Sequence, residues 1–339
     1  MNNKPKIAIG GQAVIEGVMM RGPKYIATAI RKKDGHILIK KEKFISITQR
    51  NKFLGFPVIR GCVSLIEMMI IGIKSLNFSA EEATKDEEAK KNKSKDLQKN
   101  QNSEESKKSN KTKKEKPNKL YQGFTYIIAF GLAFLFFIFL PYRIAYWSNI
   151  EKTSLFFNLF VGVIRIVFFV VYIIVISFLK DIRRIFEYHG AEHKSVFAYE
   201  ANPDFTLDDT KRFKTLHPRC GTSFIFIVLI IAILVFSIFD TILASILGHT
   251  IPLPLRIFLH ILLLPIISGL SYEILKFSGK NINHWLVKIF SAPGLALQKI
   301  TTKEPDEKQL ETAICALKAA LEMQIDYPDV EILNLKKLS

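Results

Sequence analysis

The segment that decides the fold is 223–247, which reads SFIFIVLIIAILVFSIFDTILASIL and contains a single charged residue, Asp240. A helix needs about 20 predominantly apolar residues to cross the hydrocarbon core of a bilayer, and this segment is long enough. Three more segments of similar length and character lie at 123–142, 155–179 and 253–277. The sequence therefore predicts a mainly α-helical, polytopic membrane protein with four spans.

The composition supports a strong separation between apolar and polar parts of the chain. Of the 339 residues, 49% are hydrophobic and 23% are charged, and Phe, with 27 copies, far outnumbers Trp, with 2. Phe tolerates a hydrocarbon environment without a polar partner, whereas Trp carries an N–H that needs one. The three widely spaced cysteines, Cys62, Cys220 and Cys315, exclude a disulfide framework. Residues 1–20 lack the pattern of a signal peptide, so none is expected.

The distribution of Lys and Arg predicts the orientation in the membrane. The segment 180–222 contains eight Lys or Arg residues, whereas 143–154 contains two and 248–252 contains none. Because loops rich in Lys and Arg stay on the cytoplasmic side, we expect both termini and the segment 180–222 to be cytoplasmic.

The net charge of +17 is compatible with either nucleic acid or an anionic membrane surface as partner. The apolar segments favour the membrane, so no nucleic-acid partner is expected. The expected partners are the lipid bilayer, its anionic headgroups or another membrane protein.

Residues 1–80 predict a small cytoplasmic α+β region. Strands are expected at 25–31 and 36–44, because the Asp-Gly pair between them is a β-hairpin signal. The apolar run at 61–76 is too short to span a bilayer, so a core, interfacial or re-entrant helix is expected there.

The composition also predicts the remaining divisions of the chain. Residues 85–119 contain 13 Lys and 7 acidic residues but few apolar ones, so a disordered linker is expected at 81–120. The four-span membrane domain is expected at 121–300. The cytoplasmic part at 301–339 contains a predicted amphipathic helix at 306–323, where Leu and Ile recur at helical spacing, followed by a tail.

The charged segment between the second and third spans contains the residues with metal-binding chemistry. His189 and His193 lie four residues apart, so on a helix both imidazoles share one face and can bind one metal ion. The order His-x-x-Glu-His is that of one zinc-protease class, in which the Glu, here Glu192, is the general base. Two residues separate His217 from Cys220, and this pair can ligate from a turn. The predicted metal site is His189, His193, His217 and Cys220.

A second candidate catalytic carboxylate is Glu273, about one helical turn from the cytoplasmic end of the fourth span. An ionisable group at such a position is a functional candidate. Four protein ligands would close the coordination shell and favour a structural metal, whereas three ligands and a water are typical of a catalytic metal. Without a metal, the histidines would be helix caps or polar packing groups, and Cys220 would be a small buried residue.

Four motifs together resemble one known family. They read GGQAVIEGVMMRGP at 10–23, YHGAEHK at 188–194, HPRCGT at 217–222 and SAPGLALQ at 291–298. The chain resembles the bacterial YqhQ-type family of membrane proteins, which are described as predicted metal-dependent enzymes. The resemblance implies a bacterial cell-membrane location and a metal at the four predicted ligands. It implies no particular reaction.

Three classes of function are compatible with the sequence. The first is a metal-dependent hydrolase, in which Glu192 or Glu273 takes the proton of a water bound to zinc or another divalent transition metal. The second is a non-catalytic membrane assembly or interaction factor with a structural metal clasp. The third is a transporter that would use Asp240, Arg165 and His260 within the membrane. The transporter is the weakest, because four spans without evident repeats are not typical of that class.

Overall fold

The computed structural model describes residues 9–99, 119–281 and 284–335, and the chain is mainly helical. It divides into two compact units. The first unit comprises Met1–Asp86, Ile173–Val235 and Leu253–Ser339, and the second comprises Glu87–Tyr172 and Phe236–Pro252. The sequence-based division is different, because it separates the N-terminal and C-terminal parts of the chain, which the structure joins in one unit.

Four stretches of helix are long and apolar enough to cross a membrane. The helices are α1 (Ile47–Arg50), α2 (Ile59–Lys99), α3 (Lys119–Phe134), α4 (Leu140–Tyr146), α5 (Leu155–Ser177), α6 (Lys180–Ala201), α7 (Leu207–Lys211), α8 (Gly221–Leu247), α9 (Leu253–Lys280), α10 (Trp285–Thr301) and α11 (Glu307–Ala320). The candidate spans are Ile127–Tyr146, Leu155–Ser177, Gly221–Leu247 and Leu253–Ser278. By length and composition, these helices confirm the four predicted spans.

The first candidate span is not a uniform α-helix. Helices α3 and α4 are joined by a π-helical turn, Leu135–Phe139, which lies shortly before Pro141. Proline has no N–H to donate to the carbonyl four residues earlier, and a wider turn accommodates such an interruption.

The first unit contains a five-stranded sheet. Its strands, in order across the sheet, are β1 (Gly10–Val14), β2 (Gly17–Arg21), β3 (Tyr25–Arg31), β4 (Ile37–Lys43) and β5 (Val330–Leu335). Neighbouring strands are antiparallel, except that β5 is parallel to β4. The expected hairpin is observed as β3 and β4. The sequence did not predict β1, β2 or β5.

Helices cover both faces of this sheet. Side chains alternate between the two faces along a strand, so neighbouring residues of β2 enter different cores. Val18 and Met20 pack on the side of α6 and α11, whereas Met19 packs with Ile71 of α2 on the opposite side. The sheet is therefore the middle of three layers, with α6 and α11 on one face and α2 on the other.

Helix α2 is much longer than expected. The sequence predicts a short helix here and a disordered linker over 81–120, but α2 continues without a break to its end at Lys99, so the first part of that linker is helical. Ion pairs to the turn between β3 and β4 stabilise the start of this extension, because Lys32 binds Glu82 at 2.6 Å and Asp86 at 2.9 Å. Residues 100–118 of the predicted linker lie outside the described residues, and its last two residues begin α3.

The amphipathic helix expected at 306–323 is observed as α11. Asp306 and Gln309 form a capping box, in which the Asp306 carboxylate accepts from the Gln309 N–H at 2.7 Å and the Gln309 amide oxygen accepts from the Asp306 N–H at 2.9 Å. Leu310 and Ile314 on its apolar face belong to the core shared with the sheet and α6. The tail that follows α11 supplies strand β5.

The second unit consists mainly of apolar helix. Ala145, Phe157 and Val161 form a small buried core within it. Asn158 donates from its amide nitrogen to Thr241 Oγ1 at 3.3 Å. Asp240 is buried in the same unit.

Candidate metal centre

The histidine motif lies on α6, and its two imidazoles share one face of the helix. The ring centroids of His189 and His193 are 4.5 Å apart. Gly190 follows His189, and a Cβ added there would lie 2.1 Å from the carbonyl oxygen of Lys303. The glycine is therefore required because the chain after α10 passes directly against α6.

A turn that leads into α8 brings Cys220 to these histidines. The backbone N–H of Cys220 donates to the carbonyl of His217 at 3.2 Å, and Cys220 Sγ lies 3.2 Å from His189 Nε2. The ligand atoms of His189, His193 and Cys220 all lie within 4.8 Å of one another. Three of the four predicted metal ligands therefore converge.

Backbone carbonyls determine which nitrogen of His189 and His193 carries the proton. His189 Nδ1 lies 2.8 Å from the carbonyl oxygen of Thr301, and His193 Nδ1 contacts the carbonyl oxygen of Thr215. Because a carbonyl oxygen only accepts, each Nδ1 must be the protonated, donating atom. In the neutral rings both Nε2 atoms then carry a lone pair. Metal-binding histidines have the same arrangement, because one ring N–H donates to an outer carbonyl or carboxylate and the other nitrogen binds the metal.

His193 Nε2 is the atom that most needs a ligand. It is buried, and no described residue supplies a hydrogen bond to it. A buried polar atom without a partner is costly and calls for an explanation such as an ion. A metal bound between His189, His193 and Cys220 would satisfy this lone pair, so the donor set fits a metal.

His217, the fourth predicted ligand, is hydrogen-bonded in the opposite sense. The backbone N–H of Arg219 donates to His217 Nδ1 at 3.2 Å, so in the neutral ring the proton is on Nε2. Burial, together with the nearby His193, lowers the pKa of His217 to about 3, which keeps its ring neutral. Its Nε2 is also buried, without a hydrogen-bond partner among the described residues, and lies 4.0 Å from Glu200 Oε2. His217 is therefore a hydrogen-bond donor beside the three converging residues.

Gln298 on α10 positions the turn that carries His217. Its amide oxygen accepts from the His217 N–H at 2.8 Å, and its amide nitrogen donates to the His217 carbonyl at 2.9 Å and to Ser223 Oγ at 3.0 Å. Helix α10 reaches α8 closely at Gly294, where an added Cβ would lie 2.6 Å from Ser223 Oγ. Gln298 is fully buried, so this network is satisfied internally.

Sequence reasoning did not assign roles to Gln298, Thr301 or Thr215. The first two belong to α10, whose motif SAPGLALQ ends at Gln298, and this motif was the available signal. Thr215 and Thr301 contact the histidines through their backbone carbonyl groups, which every residue has. Their side-chain identity therefore could not have predicted this role.

Glu192 lies beside the converging ligands. It is buried, and its Oε2 is 3.4 Å from His193 Nε2. Strand β1 closes over it, since a Cβ added at Gly11 would lie 3.1 Å from Glu192 Cγ. The turn after β1 is fixed to α6 by Glu16, whose carboxylate is paired with Arg184 through two hydrogen bonds. The glycine-rich N-terminal motif therefore forms one wall of the site.

Glu273, the second candidate catalytic carboxylate, is engaged elsewhere. Its Oε1 accepts from Arg60 Nε at 2.8 Å and its Oε2 from Arg60 Nη2 at 2.6 Å, so the pair is bidentate. The group of converging ligands found among the described residues does not include Glu273.

Four apolar helices, a covered sheet and a converging His/Cys group define the class of protein, a membrane-like helical protein with a candidate metal centre. Residues 56–323 match the family model described as "Protein of unknown function (DUF1385)", and the chain belongs to this family. It is also 32% identical over 329 residues to "Uncharacterized protein YqhQ" of Bacillus subtilis (strain 168), covering 94% of this chain and 93% of that protein. These similarities confirm the resemblance seen in the four motifs. No solved structure matches the chain.

Proposed function

We propose that His189, His193 and Cys220 bind a divalent transition metal in an integral protein of the bacterial cell membrane. The observation that carries this proposal is the buried Nε2 of His193, which has no hydrogen-bond partner among the described residues, in a group whose three ligand atoms all lie within 4.8 Å of one another. Imidazole and thiolate ligands together suit zinc best. The Lys and Arg residues of 180–222 support a cytoplasmic position for the site.

We further propose that the site is that of a metal-dependent hydrolase. Three protein ligands leave one position of a tetrahedral metal for water or substrate. When bound, the metal would polarise a water molecule and lower its pKa. Glu192, which is buried beside His193, would act as the general base toward a water molecule at this position. His217, whose Nε2 carries the proton in the neutral ring, would be the hydrogen-bond donor for a substrate oxygen. Glu273 has no part in this scheme, because Arg60 binds both of its oxygens.

The second candidate function is a membrane assembly factor in which the metal is a structural clasp. The observation that favours it is the number of chain segments that meet at the centre. Helix α6, the turn before α8 and the end of α10 are held there by His193, Cys220 and the carbonyl of Thr301. A metal bound by His189, His193 and Cys220 would join α6 to the turn before α8, and its binding free energy would also be folding free energy. The hydrogen bond between His189 and the Thr301 carbonyl links the end of α10 to the same point.

Metal content tests the common part of both functions. Full-length protein purified without chelators is expected to contain about one metal ion per chain. His193→Ala and Cys220→Ser are expected to lose it, whereas the matched control Cys62→Ser retains it, because Cys62 lies outside the converging group. Metal-free, folded wild-type protein after incubation with zinc would contradict the proposal.

Cobalt substitution separates the two functions. A small hydroxamate added to the Co²⁺-loaded protein is expected to change the visible spectrum if a coordination position is open, as the hydrolase requires. Glu192→Gln is expected to retain the metal and this response. An unchanged spectrum, combined with a large fall in Tm on metal removal, would exclude the hydrolase and establish the clasp.

A further inference from the structure

Helix α2 carries an apolar stripe that is left exposed by the residues the structure describes. The exposed stripe consists of Ile66, Met69, Ile70 and Ile73, whose exposure ranges from 48% to 58%. Spacings of three and four residues place them on one face of the helix. The face that packs on the sheet is fixed, since Thr28 Oγ1 donates to Ser75 Oγ at 3.2 Å. Helix α2 therefore cannot rotate to bury the exposed stripe.

The segment before α2 extends this apolar surface with aromatic rings and basic groups. Phe53 and Phe56 are 64% and 58% exposed, and their rings meet edge to face at 6.1 Å. Arg50 and Lys52 beside them are exposed as well. Between residues 43 and 80 the chain has five basic residues and one acidic residue. An apolar face bordered by cations is the pattern of a helix that lies in the headgroup layer of a bilayer.

The one acidic residue between 43 and 80, Glu67, is not part of the exposed surface of this segment, so that surface remains basic. Glu67 is buried, and its carboxylate accepts hydrogen bonds from Ser46 Oγ at 2.5 Å and from the N–H of Ile47 at 2.6 Å. It therefore holds α1 against α2 and is not presented to a partner. A docked acidic protein would be compatible with the charge alone, so the connection to the membrane spans decides between a protein and a lipid surface.

The first turn of α2 is fixed to the candidate span of α9. The Arg60–Glu273 pair joins the two helices, and an added Cβ at Gly269 would lie 2.4 Å from the carbonyl oxygen of Val58. Val58 has φ 67°, a left-handed conformation that is unfavourable for a β-branched residue, so tertiary contacts must hold it there. Because the candidate span of α9 extends to Ser278, the exposed stripe starts beside a helix that is long and apolar enough to cross the bilayer.

We propose that the exposed stripe of α2, together with Phe53 and Phe56, is immersed in the headgroup layer of the bilayer that the four spans cross. Arg50 and Lys52 contact lipid phosphates. The apolar face reaches about 5–10 Å below the surface, as in other interfacial helices. The sheet-facing side of α2 stays in contact with the cytoplasmic sheet, so α2 holds the candidate metal centre's unit against the membrane surface.

Fluorescence quenching in vesicles tests this placement. The native Trp147 and Trp285 are replaced by Phe in the full-length protein, and one probe is introduced as Met69→Trp or, as the control, Glu81→Trp. Glu81 is on the same helix, but its side chain is 68% exposed and outside the exposed stripe. In vesicles of phosphatidylglycerol and phosphatidylcholine, the tryptophan at position 69 is expected to be quenched by lipids brominated in the upper acyl chain. The control is expected to be quenched by iodide in the water.

Two results would overturn the proposal. Equal quenching of both probes by iodide would place the exposed stripe in water. A probe at position 69 that is protected from iodide and also insensitive to brominated lipid would be covered by protein, either a second copy or another partner. Ile73→Trp provides a second probe in the exposed stripe. Agreement between positions 69 and 73 is required, so that a local distortion caused by one tryptophan does not determine the result.

Discussion

The backbone group beside each imidazole decides which ring nitrogen is free for a ligand. The carbonyl oxygens of Thr301 and Thr215 accept hydrogen bonds from Nδ1 of His189 and His193. In contrast, Nδ1 of His217 accepts a hydrogen bond from the backbone N–H of Arg219. The sequence shows three histidines near a cysteine and therefore predicts four equivalent ligands. The difference between them depends on backbone partners up to 112 residues away, which spacing does not reveal. The fold brings together three of the four predicted ligands and makes His217 a hydrogen-bond donor beside them.

This assignment predicts unequal effects of alanine substitution. His217→Ala removes a neighbour of the site and is expected to weaken metal affinity by about 10–100-fold, the usual cost of losing an outer partner, while a saturated sample still holds one metal per chain. His189→Ala removes a ligand and is expected to abolish stoichiometric binding. Competition with a chelator of known affinity measures both. Equal loss in the two variants would make His217 the fourth ligand, and the site would then be closed.

At the scale of elements, the sequence predicted those helices and strands that are determined by interactions between residues near one another in the chain. The β3–β4 hairpin follows from an Asp-Gly turn, and α11 follows from a capping box and an apolar stripe. Strands β1 and β2 were missed because their turn has no Asn-Gly or Asp-Gly signal, and Glu16 supplies the positive φ instead. Strand β5 pairs with β4 from the far end of the chain. The start of the extension of α2 is paired with Lys32, which belongs to the turn between β3 and β4.

The crossing of α6 by the chain after α10 gives a prediction at this scale. Gly190→Ala would place a Cβ 2.1 Å from the Lys303 carbonyl, and backbone cannot move aside as a flexible side chain can. The segment that includes the Thr301 carbonyl must shift, so overpacking is expected to cost about 1–3 kcal/mol of stability and to loosen metal binding through His189. Thermal unfolding and metal titration measure the two effects.

Gly131→Ala is the matched control for this crossing. Gly131 lies inside α3, and a Cβ there would meet nothing within 4 Å among the described residues beyond its own helix backbone. Alanine is the better helix former by about 1 kcal/mol, so this variant is expected to be at least as stable as the wild type. If Gly190→Ala behaved like the control, the close approach at Lys303 would not constrain α6.

At the scale of the whole molecule, the charge distribution and the proposed metal chemistry favour the same side of the membrane. The segment 180–222 contains eight Lys or Arg residues together with the converging ligands, whereas 143–154 and 248–252 contain two and none. Lys and Arg near the ends of spans are retained in the cytoplasm. A thiol also remains reduced there, whereas an oxidising compartment would favour disulfides or oxidised cysteine. A cytoplasmic site is therefore expected on two independent grounds.

Reporter fusions test this orientation along the whole chain. Fusions after Lys119, Glu151, Thr210, Thr250 and Ser339 are expected to read cytoplasmic, external, cytoplasmic, external and cytoplasmic, because each of the four candidate spans reverses the side. The fusion after Thr210 is decisive, since it lies between the histidine motif and Cys220. An external signal there, with the others alternating accordingly, would reverse the topology and place Cys220 where a free metal-binding thiolate is hard to maintain. Equal signals on both sides of one candidate span would instead show that this helix does not cross the bilayer.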